Sequence, residues 1–272
     1  MRTKNGGRAL VALAWIASAV MAAACAPLSS GGAVPSPGVS TLDRLQAGAP
    51  LRVCLTGDYK PFGFLRADGE FEGIDVDLAR SLAASLKTTP RFVKTSWSTL
   101  MTDFGAGACD IAMGGISITL DRQAKAAFST ATMVDGKMPI VRCADLARFA
   151  TPERIDQPGV RAIVNPGGTN ERFARATFRQ AQIRVYPDNV TIFDELVAGR
   201  ADVMVTDASE TLLQHKLRPT LCPVPLERPL QFSEKAFLLP RDDAAWKAYV
   251  DQWLHLSKAT GEFDAVSDRW LK

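Results

Sequence analysis

The sequence predicts an α/β protein of two lobes, each a mostly parallel sheet covered by helices. Three observations carry this. Short apolar runs alternate with helical stripes, the rhythm of successive strand–helix–strand units. The rhythm restarts after an extended stretch without a turn signal. A second extended run then leads the chain to a closing helix. In order, "LRVCLT" is a strand, and Leu78, Leu82 and Leu86 with Ala79 and Ala83 form a helical stripe. "RFVK" and "DIAMGG" are further strands of the first lobe, and "KMPIVRC" is the extended run suited to crossing into the second. There "RAIVN" is a strand, "TNERFARATF" a helix opened by Gly167-Gly168, and "IRVY" the next strand. Ile192, Phe193, Leu196 and Val197 make another stripe before the strand "DVMVT". "KAFLLP" is the return crossing, and Trp246, Val250, Trp253 and Leu254 are the apolar face of a helix that docks on the first lobe. Ligands of open α/β sheets bind beyond the carboxyl ends of the strands, so the loops after "VCLT", "IAMGG", "AIVN" and "MVT" are where a site is expected.

The first 24 residues read as an export leader. Arg2, Lys4 and Arg8 precede an apolar run from Ala9 to Ala24, too short for a comfortable membrane span and ending in small residues. Ala22-Ala23-Ala24-Cys25 resembles a bacterial lipoprotein box with Cys25 as the acylated residue, although alanine stands where leucine is usual. Residues 25–41 have a flexible tether's composition. Membrane attachment is therefore expected only through an N-terminal lipid. The chain carries 32 Lys+Arg and 29 Asp+Glu, and losing the three basic leader residues balances the charge, which argues against a nucleic-acid partner. Cys54, Cys109, Cys143 and Cys222 have no zinc-like spacing, and only His215 and His255 could assist them, so no metal site is expected. In an exported chain disulfides are the better expectation.

From Leu42 to Lys272 the chain resembles the periplasmic amino-acid-binding proteins, on "GDYKPFGF", "GIDVDLARSLA", "ISITLDR" and "PGGTNE". Within them it is most similar to the secreted cyclohexadienyl dehydratases, on "DIAMGGISI", "AIVNPGGTNE", "PDNVTIF", "EKA" and "YVDQWL". The resemblance implies a two-lobed, type II periplasmic-binding-protein-like fold with two mixed sheets flanked by helices and two hinge crossings. Lobe 1 is then expected over residues 42–140, lobe 2 over 141–232, and the return to lobe 1 over 233–272. It also implies decarboxylating dehydration of prephenate to phenylpyruvate and of L-arogenate to phenylalanine, without a cofactor. The competing function is a lipid-anchored amino-acid receptor for a transporter.

On this resemblance Arg122 anchors a substrate carboxylate, a task its planar guanidinium suits through two parallel N–H bonds. Thr169 and its helix start offer further donors. Asn165, at a strand end, reaches the substrate hydroxyl or a carboxylate. Asp58 lines the cleft, Trp97 packs flat on the substrate ring, Ser117 donates to a carboxylate, and Lys137 helps hold a dianion. "VTDASE" places Asp207 and Glu210 on one face of a helix start. Such a pair can cap the helix, hold an amine or transfer a proton. The relatives' counterpart of Asp207 holds a ligand's α-amino group, and Glu210 matches the dehydratases' proton donor, which needs a raised pKa from burial and neighbouring negative charge. Cys143 and Cys222, near the two crossings and matched by cysteines in the dehydratases, are expected to pair. Cys54 and Cys109 are expected to be buried free thiols.

Overall fold

The computed structural model describes residues 38–271. The leader over residues 1–24, Cys25 and most of the tether lie outside the described residues. The tether's end is already ordered. Ser40 caps the helix Thr41–Gln46 by accepting from Leu42 N, and Asp243 accepts from both Ser40 Oγ and Thr41 N at 2.6 Å.

Two mixed sheets organise the chain. The first has five strands in the order Pro90–Lys94, Leu51–Leu55, Ile111–Ala112, Leu238–Leu239 and Ala127–Phe128. Its first three strands are parallel, and Leu238–Leu239 runs antiparallel to both neighbours. The second runs Gln182–Val185, Arg161–Val164, Val203–Asp207, Met133–Arg142 and Leu221–Pro223, with Gln231–Lys235 also pairing on Met133–Arg142. A small antiparallel sheet of Asp58–Tyr59, Gly63–Leu65 and Phe71–Glu72 completes the set.

"KMPIVRC", expected to cross between lobes, lies, up to Arg142, in the ten-residue strand Met133–Arg142, flanked by Val203–Asp207 on one side. Its unbroken apolar character is that of an interior strand covered on both faces. The chain passes between the sheets over residues 129–132 instead, and returns through Ala236 and Phe237. The closing helix, Ala244–Ala259, docks where expected. It buries Trp246, Val250 and Leu254 in the same core as Leu51, Val53, Leu78 and Leu82.

Two disulfides tie the chain. Cys143 and Cys222 pair as expected, at an S–S distance of 2.08 Å. Cys54 and Cys109, expected to be free thiols, are also linked, at 2.02 Å. The parallel pairing of Leu51–Leu55 with Ile111–Ala112 puts Cys54 opposite Ala112, which brings Cys109 to it just before the neighbouring strand. Apolar strand context suggested burial, and Cys54 is fully buried, but it did not reveal that the approach to the neighbouring strand brings another cysteine beside it.

Candidate active site

A small cleft pocket is lined by Tyr59, Trp97, Gly115, Ser117, Asn165, Gly168, Thr169, Asn170, Asn189 and Asp207. Most of these stand at or just beyond the carboxyl end of a strand, where open α/β sheets place their ligands. Ser117 and Trp97 from the first lobe, and Asn165, Thr169 and Asp207 from the second, all singled out in the sequence, line the same pocket. Trp97 meets Tyr59 edge to face at 5.6 Å. Asn189 bridges the halves by donating from Nδ2 to the Asp58 carbonyl (3.1 Å), while its buried Oδ1 has no hydrogen-bond partner among the described residues. Asp58 faces an adjoining cavity with Lys60, Asn189 and Arg218, and burial pushes its carboxyl above the ordinary value. The halves approach closely at Gly167, whose φ is 76° and where a Cβ would fall 2.8 Å from Ser98 N.

Arg122 is buried but does not line the cavity. Among the described residues its side chain makes one hydrogen bond, from Nη1 to the Ser117 carbonyl at 2.8 Å. Burial, with Arg172 nearby, pulls its guanidinium down to about 10.

At the centre is an aspartate between two buried lysines. Lys137 Nζ donates to Asp207 Oδ1 (2.7 Å), Thr169 Oγ1 (2.9 Å) and Asn170 Oδ1 (2.5 Å). Lys235 Nζ donates to Asp207 Oδ2, to Ser117 Oγ (3.1 Å) and to Tyr59 OH (3.4 Å). Tyr59 OH in turn donates to Asp207 Oδ2 at 2.6 Å. Burial alone would raise Asp207, but the two ammonium groups hold it well below the usual carboxylate range. Burial draws Lys137 down while Asp207 opposes that. Asp207 is the residue preceding the helix Ala208–Leu217, yet its side chain does not cap it. Asp135 meets that helix start instead, accepting from Ser209 N (3.2 Å) and Ser209 Oγ (2.6 Å).

Glu210, in the first turn of that helix, is 2 % exposed. Thr206 Oγ1 donates to its Oε2, and Asn170 Nδ2 donates to Thr206 Oγ1 at 3.0 Å, so the carboxyl connects to the cavity wall through two hydrogen bonds. Its Oε1 takes no hydrogen bond among the described residues. Burial, reinforced by the Asp207 charge, pushes its pKa up to about 8 against the opposing pull of the Thr206 bond.

Sequence reading missed Tyr59, Lys235, Asn170, Thr206, Asn189 and Asp135. Lys235 did leave a signal. A lysine opening the apolar run "KAFLLP" is out of place on a buried strand end unless it is paired, because lysines are almost never fully buried alone.

Fold and cleft together define a class: two-lobed α/β binding proteins of the type II periplasmic arrangement. The chain belongs to the bacterial extracellular solute-binding proteins, family 3, whose pattern it matches over residues 51–272. It is 54% identical over 233 residues, 86% of this chain and 87% of the relative, to the cyclohexadienyl dehydratase of Pseudomonas aeruginosa. The L-cystine-binding protein of Escherichia coli is 26% identical over 231 residues, 85% of each chain. Among solved structures, an ancestral amino-acid-binding protein described as a precursor of cyclohexadienyl dehydratase superposes with a TM-score of 0.80. It is 33% identical, with 86% of this chain and all of that one covered. An ancestral cyclohexadienyl dehydratase is 46% identical with a TM-score of 0.55, covering 86% of this chain and 97% of that one.

Proposed function

We propose that this protein is a cyclohexadienyl dehydratase, a carbon–oxygen lyase. It converts prephenate to phenylpyruvate and L-arogenate to phenylalanine by general acid catalysis in the cleft. The observation that carries the reading is Glu210, a buried carboxyl whose pKa of about 8 keeps it protonated at neutral pH. Loss of the ring carboxylate as carbon dioxide supplies an electron pair to the ring, and the ring hydroxyl leaves as it takes a proton. Glu210 supplies that proton, with Oε2 steadied by Thr206 and Oε1 left for the substrate. Asp207 positions the cluster around it. Arg122, Ser117, Thr169 and Asn165 hold the substrate's oxygen atoms and Trp97 covers the ring, while Lys137, whose three N–H groups are taken by Asp207, Thr169 and Asn170, acts by positioning that wall.

An amino-acid receptor is the second reading, favoured by the TM-score of 0.80 to an amino-acid-binding ancestor. The 54% identity to a dehydratase and the protonated Glu210 weigh against it. Mixing the purified mature protein with prephenate and following phenylpyruvate decides between them. Absence of turnover, with tight binding of an amino acid in calorimetry, sinks the enzyme reading. As its family membership implies, the protein works outside the cytoplasm. We further propose acylation at Cys25. Fractionation should find the wild type with membranes and Cys25→Ser released, and a wholly soluble wild type refutes this.

A further inference from the structure

Two asparagines on the cleft lining have opposite polarity. Asn165 Oδ1 accepts from Asn170 Nδ2 at 3.1 Å, so its remaining groups are N–H donors, fitted to a carboxylate. Asn189 is the reverse. Its Nδ2 donates to the Asp58 carbonyl, which can only accept, and this fixes Oδ1 as the acceptor end of the amide. Asn189 is 6 % exposed, and its buried Oδ1 takes no hydrogen bond among the described residues. A buried amide oxygen left in that state is costly, so its partner is expected to arrive with the ligand. Trp97 Nε1 is in the same state on the same lining, but it stands close enough to Asp58 to lower that carboxyl's pKa against burial. The placement of Asn189 is equally specific. It lines the cleft pocket together with Asp207, and the adjoining cavity together with Gln214. Gln214 lies one turn after Glu210 on the same face of the helix Ala208–Leu217. Glu210 is thus flanked along the chain by two residues that border the space Asn189 lines.

We infer that Asn189 is a further catalytic residue, whose Oδ1 accepts the hydrogen of the substrate's ring hydroxyl and so turns that oxygen's lone pairs toward the proton of Glu210. The inference rests on the dehydratase reading. Prephenate, with its carboxylates ionised and a keto group, brings one donor, the ring hydroxyl, and L-arogenate carries the same hydroxyl. As the ring carboxylate leaves as carbon dioxide, its bonding electrons enter the ring and the ring C–O bond breaks. The hydroxyl oxygen takes the Glu210 proton and departs as water, keeping the hydrogen it already shared with Asn189. Glu210 is left as a carboxylate and recovers a proton from solvent. During the step the oxygen gains positive character, so its O–H becomes a stronger donor. The bond to Asn189 Oδ1 therefore strengthens on the way to the transition state, and an interaction of that kind raises kcat more than it tightens binding. The other end of the amide, bonded to Asp58, ties the first half of the cleft to the second and places Oδ1 when the two are together.

The test measures kcat and KM for prephenate and L-arogenate in the wild type, Asn189→Leu and Asn189→Asp. Phenylpyruvate, which has no ring hydroxyl, is titrated into each by calorimetry. Asn189→Leu removes both ends of the amide at similar volume. It should lower kcat by about 10–100-fold, the range of a hydrogen bond to a group gaining charge, and by the same factor on both substrates. Asn189→Asp keeps an acceptor in the same place but, when ionised, gives up the bond to Asp58 and adds an anion. Its kcat should recover to within about tenfold of the wild type, while KM rises and phenylpyruvate binds more weakly. A loss in Asn189→Leu confined to L-arogenate would assign Oδ1 to the α-ammonium group and overturn the inference. So would a loss of phenylpyruvate affinity as large as the loss of kcat/KM, which would leave Asn189 only a tie across the cleft. An Asn189→Asp variant no faster than Asn189→Leu overturns it too, since an acceptor would then not matter. If the wild type turns over neither substrate, the dehydratase reading falls and this inference with it. Wild-type turnover with kcat unmoved in Asn189→Leu overturns the inference alone.

Discussion

Replacing Glu210 by glutamine keeps its size and its bond to Thr206 but removes the acidic proton. With a pKa of about 8, the buried carboxyl is protonated in about nine molecules of ten at pH 7, whereas a solvated glutamate would be so in roughly three of a thousand. Nearly every molecule therefore carries a ready acid, and losing it should lower kcat by about 10²–10⁴-fold, the usual worth of general acid catalysis. Prephenate binding should persist. The wild-type rate should stay level through neutral pH and fall tenfold per unit above about pH 8, where Glu210 ionises. Stability carries the opposite sign. The folded pKa lies above the unfolded one, so between about 4.5 and 8 the native state holds a proton that the unfolded chain has lost, and stability falls as pH rises. Glutamine removes that cost, so the variant should be more stable than the wild type, by on the order of 3 kcal/mol at pH 7 and of 5 at pH 9. Phenylpyruvate formation over pH 5–10 and thermal melts over the same range make the two measurements. Near-wild-type turnover in Glu210→Gln, or a wild-type rate already falling near pH 5, refutes the assignment.

Other substitutions test the surroundings. Arg122→Met should raise KM for prephenate by an amount equivalent to about 2–5 kcal/mol with the fold intact, and an unchanged KM and kcat would remove Arg122 from the site. Burial raises Asp75, whose Oδ2 accepts from Gly114 N and Gly115 N, to about 6, so its ionisation costs stability as pH rises from about 3.8 to 6. Asp75→Asn should then gain about 2–3 kcal/mol at pH 7 and little at pH 3.5, and a lower melting temperature at pH 7 would contradict this. The disulfides join residues 55 and 79 positions apart, so losing either should cost about 4–5 kcal/mol in the chain-entropy model. Denaturant midpoints of the paired Cys→Ser variants measure this, and an unlinked Cys54 thiol in non-reducing peptide maps would remove the first bridge. Gly167→Ala puts a methyl group 2.8 Å from Ser98 N at a φ of 76°, so it should weaken substrate binding and also lower the melting temperature; unaltered KM would mean the close approach is not needed.

What the sequence revealed follows the range of its patterns. Strands such as Leu51–Leu55 and Val203–Asp207, and the helix Ile74–Ser85, were legible because burial writes a local period of apolar residues. Asp207, Ser117 and Thr169 were legible because strand ends are where this architecture opens. The crossing was misplaced because an interior strand and an extended connector look alike over seven residues. Lys235, Tyr59 and the Cys54–Cys109 bridge escaped because their meaning lies in which distant segment pairs with them, and a single chain's periodicity is silent on that.

The cluster around Asp207 also bears on how the chain folds. Its members come from far apart: Tyr59 lies 148 residues before Asp207, Lys137 lies 70 before it, and Lys235 lies 28 after it. Contacts of such sequence separation form slowly, because loop closure opposes them before packing rewards them. Lys235 reaches its place only once Gln231–Lys235 has zipped onto Met133–Arg142, which completes a sheet begun a hundred residues earlier. In refolding, helical circular dichroism should therefore recover ahead of activity, and the interval between them times the return of this last strand.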